Sequence, residues 1–305
     1  MANGKRVKQT DSGAAGKSAA VPPQRAKKSL GQNFLNDRNA AGRIVEALGD
    51  ISQKTVIEIG PGRGALTGML IAHAQRLIAI ELDRVLAAQM RMKYANTRNI
   101  EVIEADVLAV DFASLLGPRP GSSIGGLAPK PPDKVRVVGN IPYYITSDIL
   151  LRLFEYHELV ETIVIMVQKE VAERIAAKPG TSEYGLLSAT AQLYAKVEQL
   201  FTVPAEAFSP PPKVDSSVLR LTISPRWEKL QVDPRAFVEF LKLSFGQKRK
   251  TLANNLKQHY DSKAIVAALQ KAKVNMDVRA EALPLEKAAA VFRGLEKADP
   301  SLRSG

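Results

Sequence analysis

The spacing of apolar residues changes several times along the chain, and each change predicts an element. Residues 55–59, 77–80, 100–103, 135–138 and 162–167 are short apolar runs, mostly β-branched, and predict buried strands. Between them, residues 66 to about 74, 84–94, 149–154 and 170–177 place apolar side chains three and four apart, the period of a helix. Strands alternating with helices imply an α/β fold, a mostly parallel sheet covered on both faces. Residues 186–200 predict one more helix. Residues 200–203 and 217–222 predict two last strands, paired like a hairpin around a Pro-rich loop.

Three stretches break the pattern. Residues 1 to about 26 are rich in Gly, Ala, Ser, Lys and Arg without periodicity, which predicts a disordered basic tail. Residues 117–132 hold too much Gly and Pro for either element and predict an exposed flexible insertion. After Pro225 only helical spacing remains. Asp233-Pro234 is a helix start, an N-cap followed by Pro in the first turn. Helices are predicted at 234–245, 250–259, 264–272 and 285–295. The expected organisation is an α/β domain over 27–225 and a small all-helical domain over 226–305. There is no internal repeat.

Composition narrows the chemistry. A chain of 305 residues accommodates two such domains. It has no Cys, so disulfides, thiolate metal sites and Cys nucleophiles are excluded. Its three His (His73, His157 and His259) are scattered and form no metal-ligating cluster. No apolar run is long enough for a bilayer and no apolar leader follows the basic N-terminus, so a cytoplasmic protein without membrane contact is expected. The net charge of +12 points to a polyanionic partner, with nucleic acid the usual one.

Chemistry-bearing residues gather at predicted strand ends, where open α/β sheets bind ligands. Glu58-Ile59-Gly60-Pro61-Gly62-Arg63-Gly64 follows the first strand, and its glycines allow a sharp turn and close approach to a ligand. Glu81 ends the second strand, placed to accept from ribose hydroxyls. Asp106 follows the third and can accept from an exocyclic amine. The fourth ends in Asn140-Ile141-Pro142-Tyr143. There Asn140 offers a side-chain carbonyl, and the Ile141 carbonyl is held extended by Pro142. Tyr143 offers a flat face for a base. Such a corner suits a planar amine, although a Pro turn over a core Tyr has the same sequence. The Gly-rich turn also fits the permissive form of a dinucleotide fingerprint. A hydride-transfer enzyme has no evident use for Asn140–Tyr143, whereas methyl transfer to an amine does. A DNA amino-methyltransferase would share this logic, and a non-catalytic RNA-binding factor could retain the scaffold.

Several segments together resemble the ribosomal RNA adenine dimethyltransferases, and among them the bacterial small-subunit 16S rRNA branch. They are Lys28-Ser29-Leu30-Gly31-Gln32-Asn33-Phe34-Leu35, Glu58–Gly64, Glu81-Leu82-Asp83 and Asn140–Tyr143. The resemblance continues through Gln168-Lys169-Glu170-Val171-Ala172, Phe208-Ser209-Pro210-Pro211-Pro212-Lys213-Val214-Asp215-Ser216 and Phe245-Gly246-Gln247-Lys248-Arg249-Lys250-Thr251-Leu252. It spans roughly residues 27–295, with the segments in the family's order. It implies a class I, Rossmann-like methyltransferase fold using S-adenosyl-L-methionine. By position, Asn33, Leu35, Gly60, Glu81, Asp106 and Asn140 would bind the cofactor. Asn140, Ile141, Pro142 and Tyr143 would hold the adenine, with Phe208 on its second face. The implied product is N6,N6-dimethyladenosine at two adjacent adenosines near the 3′ end of 16S rRNA, with the small ribosomal subunit or its precursor as partner and the enzyme a monomer. Lys248, Arg249 and Lys250, then Lys27 and Lys28, are the leading phosphate contacts. The tail and the 117–132 insertion depart from the family pattern but touch no matched motif.

Overall fold

The computed structural model describes residues 32–116 and 133–298. The basic tail, Lys27, Lys28 and the Gly/Pro insertion therefore lie outside the described residues. The described chain starts with β1 (Phe34–Leu35) and helix α1 (Arg38–Glu46). Asp37 caps α1, accepting from the Asn39 and Ala40 amides at 2.8 and 3.1 Å. The alternation expected from sequence follows as β2 (Thr55–Ile59), α2 (Thr67–His73), β3 (Arg76–Glu81), α3 (Arg84–Lys93), β4 (Ile100–Glu104) and α4 (Phe112–Leu116). It continues as β5 (Val135–Asn140), α5 (Thr146–Glu155), β6 (Val160–Gln168), α6 (Lys169–Ala176) and α7 (Leu186–Tyr194). Three strands close the unit, β7 (Ala195–Val203), β8 (Phe208–Ser209) and β9 (Ser216–Ile223).

Seven strands form one sheet in the order β4-β3-β2-β5-β6-β9-β7. The first five run parallel, and β9 runs antiparallel to both β6 and β7. From β2 the chain moves outward through β3 and β4, then returns to β5 on the other side of β2. The connections leaving β2 and β5 therefore diverge and open a crevice at their carboxyl ends. Alternate side chains of each strand feed two apolar layers. Ile57, Ile78, Val137 and Ile163 lie in one, and Val56, Leu77, Val138 and Val164 in the other.

Past β9 the chain is helical, with α8 (Trp227–Leu230), α9 (Pro234–Ser244), α10 (Leu252–Leu256), α11 (Ser262–Lys271) and α12 (Leu285–Ala298). Asp233 caps α9 by accepting from the Ala236 amide at 2.8 Å. These helices share an apolar centre in which the Phe237, Phe240 and Phe292 rings lie 5.4–5.9 Å apart. Tyr184 and Leu193 from the sheet-bearing part join the same centre.

Two expectations need correction. The helix predicted over 186–200 stops at Tyr194, and Ala195–Val203 is a strand paired with β9. No Gly or Pro marks that boundary. The partner strand decides it, with Glu198 on β7 bonded to Arg220 on β9 at 3.2–3.3 Å. The helix predicted over 250–259 shortens to Leu252–Leu256.

Candidate active site

The glycine turn after β2 depends on backbone only glycine adopts readily. Gly60, Gly62 and Gly64 have φ of +64°, +57° and +83°. A Cβ on Gly62 would sit 3.1 Å from the Phe34 ring, so β1 lies directly on this turn. The Arg63 guanidinium covers the same ring at 4.2 Å. Glu81, at the end of β3, fastens the turn from beneath. One carboxylate oxygen accepts from the Gly62 amide at 3.0 Å and the other from the Asp83 amide at 2.9 Å. Burial raises the Glu81 pKa, against the pull of those two amides. Glu58 lies deeper, 1% exposed, and accepts from Thr67 Oγ1 at 2.7 Å. Burial pushes its pKa up to about 8, with the Glu81 carboxylate adding to the rise, while the Thr67 hydroxyl and Lys93 oppose it.

Across the crevice, β5 lies unusually close to β2 at Gly139. A Cβ there would sit 2.7 Å from the Ile59 carbonyl oxygen. This close approach presents the next residue, Asn140, at the crevice. Its Nδ2 donates to the Asn33 carbonyl at 2.9 Å, a bond between residues 107 positions apart. With Nδ2 committed, Oδ1 is the atom left as an acceptor. A short 3-10 turn, Tyr143–Ile145, follows and closes on the Pro142 carbonyl, which accepts from the Ile145 amide at 3.2 Å. The Tyr143 side chain lies outside the described part of the structure. Tyr144 is 61% exposed and borders the crevice.

Of the residues singled out in the sequence, Asn33, Leu35, Gly60, Glu81, Asp106, Asn140, Ile141 and Pro142 line this one cleft. Asp106 is exposed there and accepts from the Leu108 amide at 2.9 Å. The cleft offers about 1120 Å³ of space, its open mouth included. Its lining carries the carboxyl groups of Glu58, Glu81 and Asp106 against one guanidinium, Arg63. Glu58, with its pKa of about 8, is mostly protonated at neutral pH, which leaves Glu81 and Asp106 as the acidic groups that meet a ligand. In a chain of net charge +12 this local acidity is a reversal. It disfavours a pyrophosphate and suits a ligand with cationic groups.

Phe208 is the exception. It is 3% exposed, pairs with Leu35 across β1 and β8, and is absent from the cleft wall. The expected second stacking face is therefore an apolar anchor in this structure, because β1 covers it. Lys248, Arg249 and Lys250 are exposed in the turn between α9 and α10, away from the cleft, and Lys248 Nζ donates to the Ser182 carbonyl at 2.8 Å. Phe34, Arg63 and Tyr144 line the cleft without having been singled out. The doubled Tyr143-Tyr144 was the one available signal for the last.

The model of the family described as ribosomal RNA adenine dimethylase matches residues 23–297. The chain belongs to that family. It is 58% identical over 276 residues to the ribosomal RNA small subunit methyltransferase A of Koribacter versatilis, covering 90% of this chain and 96% of the relative. The protein of the same name from Acidobacterium capsulatum is 52% identical over 271 residues, with 88% and 91% covered. Among solved structures, a dimethyladenosine transferase from Plasmodium falciparum superposes with a TM-score of 0.69 at 25% identity, covering 88% of this chain and 98% of that one. The 23S rRNA methyltransferase ErmE superposes at 0.63 with 28% identity, covering 87% and 100%. The fold is thus the Rossmann-like methyltransferase fold with a helical C-terminal region, and this rRNA adenine dimethylase carries its cleft at the sheet's switch point.

Proposed function

We propose that the chain is an S-adenosyl-L-methionine-dependent 16S rRNA dimethyltransferase. On this reading it methylates N6 of two adjacent adenosines near the 3′ end, giving N6,N6-dimethyladenosine during small-subunit biogenesis. The observation that carries the reading is Asn140. It stands at the switch-point cleft, with its amide oriented by Asn33 and its oxygen left to accept. The family membership and the names of the most similar relatives support the choice of rRNA over DNA.

The residues present fit the cofactor. The acidic side chains of Glu81 and Asp106 complement its cationic groups and stand at successive strand ends for ribose and adenine, and the glycine turn lets a ligand reach the backbone. When bound, S-adenosyl-L-methionine supplies an electrophilic methyl on a sulfonium, a good leaving group. The chain's own task is to prepare the amine. The adenine N6 lone pair is delocalised into the ring and is a poor nucleophile. Asn140 Oδ1 and the Ile141 carbonyl accept the two N6 protons, which favours a pyramidal nitrogen with a localised lone pair. As N6 gains positive charge both hydrogen bonds strengthen, so stabilisation is greatest in the transition state. No strong general base is needed, since the proton is acidic once the methyl has transferred. For the second methylation one N6 proton remains, and one acceptor is released.

The base must leave its stack to enter the cleft, and a loop adenosine does so at less cost than a paired one. Tyr143 is the stacking residue on this reading, and the exposed Tyr144 at the cleft offers another flat face. The test is incubation of unmodified small subunits with the enzyme and labelled cofactor, followed by mass mapping of the product adenosines. Two adjacent dimethyladenosines are expected. Binding of nicotinamide or flavin with no methyl transfer overturns the reading.

A further inference from the structure

A second concavity lies at the opposite end of the sheet. Its charged lining is entirely cationic, with Lys178 beyond α6, Lys196 on β7, Arg226 after β9 and Lys229 on α8, and no carboxylate in its wall. Three separate parts of the chain, the end of α6, β7 and the start of α8, bring these side chains together where the sheet meets the helical region. Lys196 also pairs with Glu198 at 3.1 Å and Arg226 with Glu286, but both acids stand outside the wall. Among the described residues Lys178 and Lys229 make no salt-bridge contact, although Glu286 attracts Lys229 from a longer distance. Like charges converging on a concave wall repel one another, and a polyanion relieves that repulsion.

The strand register gives the position. Asn140 pairs with Met166 near the carboxyl end of β6, whereas Lys196 reaches Thr162, near its start, through Thr222. Four residues of rise and three strand spacings separate them, which places Lys196 roughly 19 Å from Asn140. A stacked strand advances about 3.4 Å per nucleotide, so this distance is on the order of six nucleotides. One bound adenosine cannot reach both places.

We propose that this groove docks the sugar-phosphate backbone of an rRNA segment other than the nucleotide held at Asn140. The proposal rests on the rRNA methyltransferase reading. Phosphodiester fits because the groove offers point charges without aromatic faces or acidic groups, which reads backbone rather than bases. It would fix the enzyme's orientation on a folded RNA while the cleft selects the base.

The experiment is equilibrium binding of unmodified small subunits across a range of KCl, using wild type and a Lys178→Ala/Lys229→Ala double variant. Each phosphate that a lysine no longer neutralises lowers the magnitude of the slope of log K against log salt by about 1, so the double variant should show a slope shallower by about 2. Cofactor affinity and the single-turnover rate at saturating subunit should stay at wild-type values, because neither lysine lies in the cleft. Lys178→Glu/Lys229→Glu should weaken binding further. An unchanged slope in both variants, with wild type methylating normally, overturns the groove alone. Wild type that binds subunits but leaves their adenosines unmodified overturns the underlying reading.

Discussion

Replacing Asn140 with Ala tests the mechanism most directly. In the native cleft the carboxamide is fixed by its bond to the Asn33 carbonyl at 2.9 Å, so Oδ1 needs no reorganisation when the amine arrives. Ala removes one of two preorganised acceptors and leaves the Ile141 carbonyl. Loss of one such group from a site built for developing charge costs about 3–4 kcal/mol, or roughly 10²–10³ in rate. The effect on cofactor affinity should be smaller. At most one neutral hydrogen bond is lost there, about 1 kcal/mol and less than roughly tenfold. Asn140→Asp sharpens the test. It keeps an acceptor but faces a carboxylate toward the Asn33 carbonyl, so the side chain should turn and activity should fall as well. The assay is rapid-quench single turnover with enzyme and labelled cofactor in excess over small subunits, beside calorimetric cofactor binding. A near-normal transfer rate for Asn140→Ala would refute the acceptor role. An equal loss in cofactor binding and rate would reassign Asn140 to uniform binding.

Three further outcomes follow from particular side chains. Tyr144→Ala should raise KM for the RNA by a factor matching about 1–3 kcal/mol of stacking while leaving cofactor affinity unchanged, and Tyr144→Phe should restore it; equal defects in both variants would assign the effect to the hydroxyl. Phe208→Ala should lower stability by about 3–5 kcal/mol, read as a lower denaturation midpoint, because the ring is buried against β1. A normal midpoint with weakened RNA binding would return Phe208 to a stacking role. Glu58 carries a pH signature. Its folded pKa of about 8 exceeds its ordinary 4.5, so between these values the folded state binds more protons, and stability falls as pH rises. Glu58→Gln keeps an acceptor for Thr67 and removes that dependence. Its Tm should match wild type near pH 4.5, exceed it increasingly up to about pH 8, and then hold a constant lead. A pH-independent difference would show that the carboxyl does not titrate in this range.

The chain by itself determined the alternation of strands and helices through β6, because each of those elements carries its own period and its own turn residues. It also determined where the chemistry stands. Glu81, Asp106 and Asn140 end successive parallel strands, so chain order alone brings them to one edge of the sheet. Asp233-Pro234 marked α9 for a similarly local reason, a side chain and its own helix start. Tertiary structure decided what depends on a distant partner. The stretch after Tyr194 became a strand because β9 lay ready to pair with it. Phe208 went into the core because β1, more than 170 residues earlier, covers it. The orientation of the Asn140 amide rests on one carbonyl 107 positions away, and the cationic groove on three parts of the chain that share no sequence motif. Periodicity reports which face of an element is buried, but not what lies against it, and pairing, burial and convergence of charge are properties of that second body.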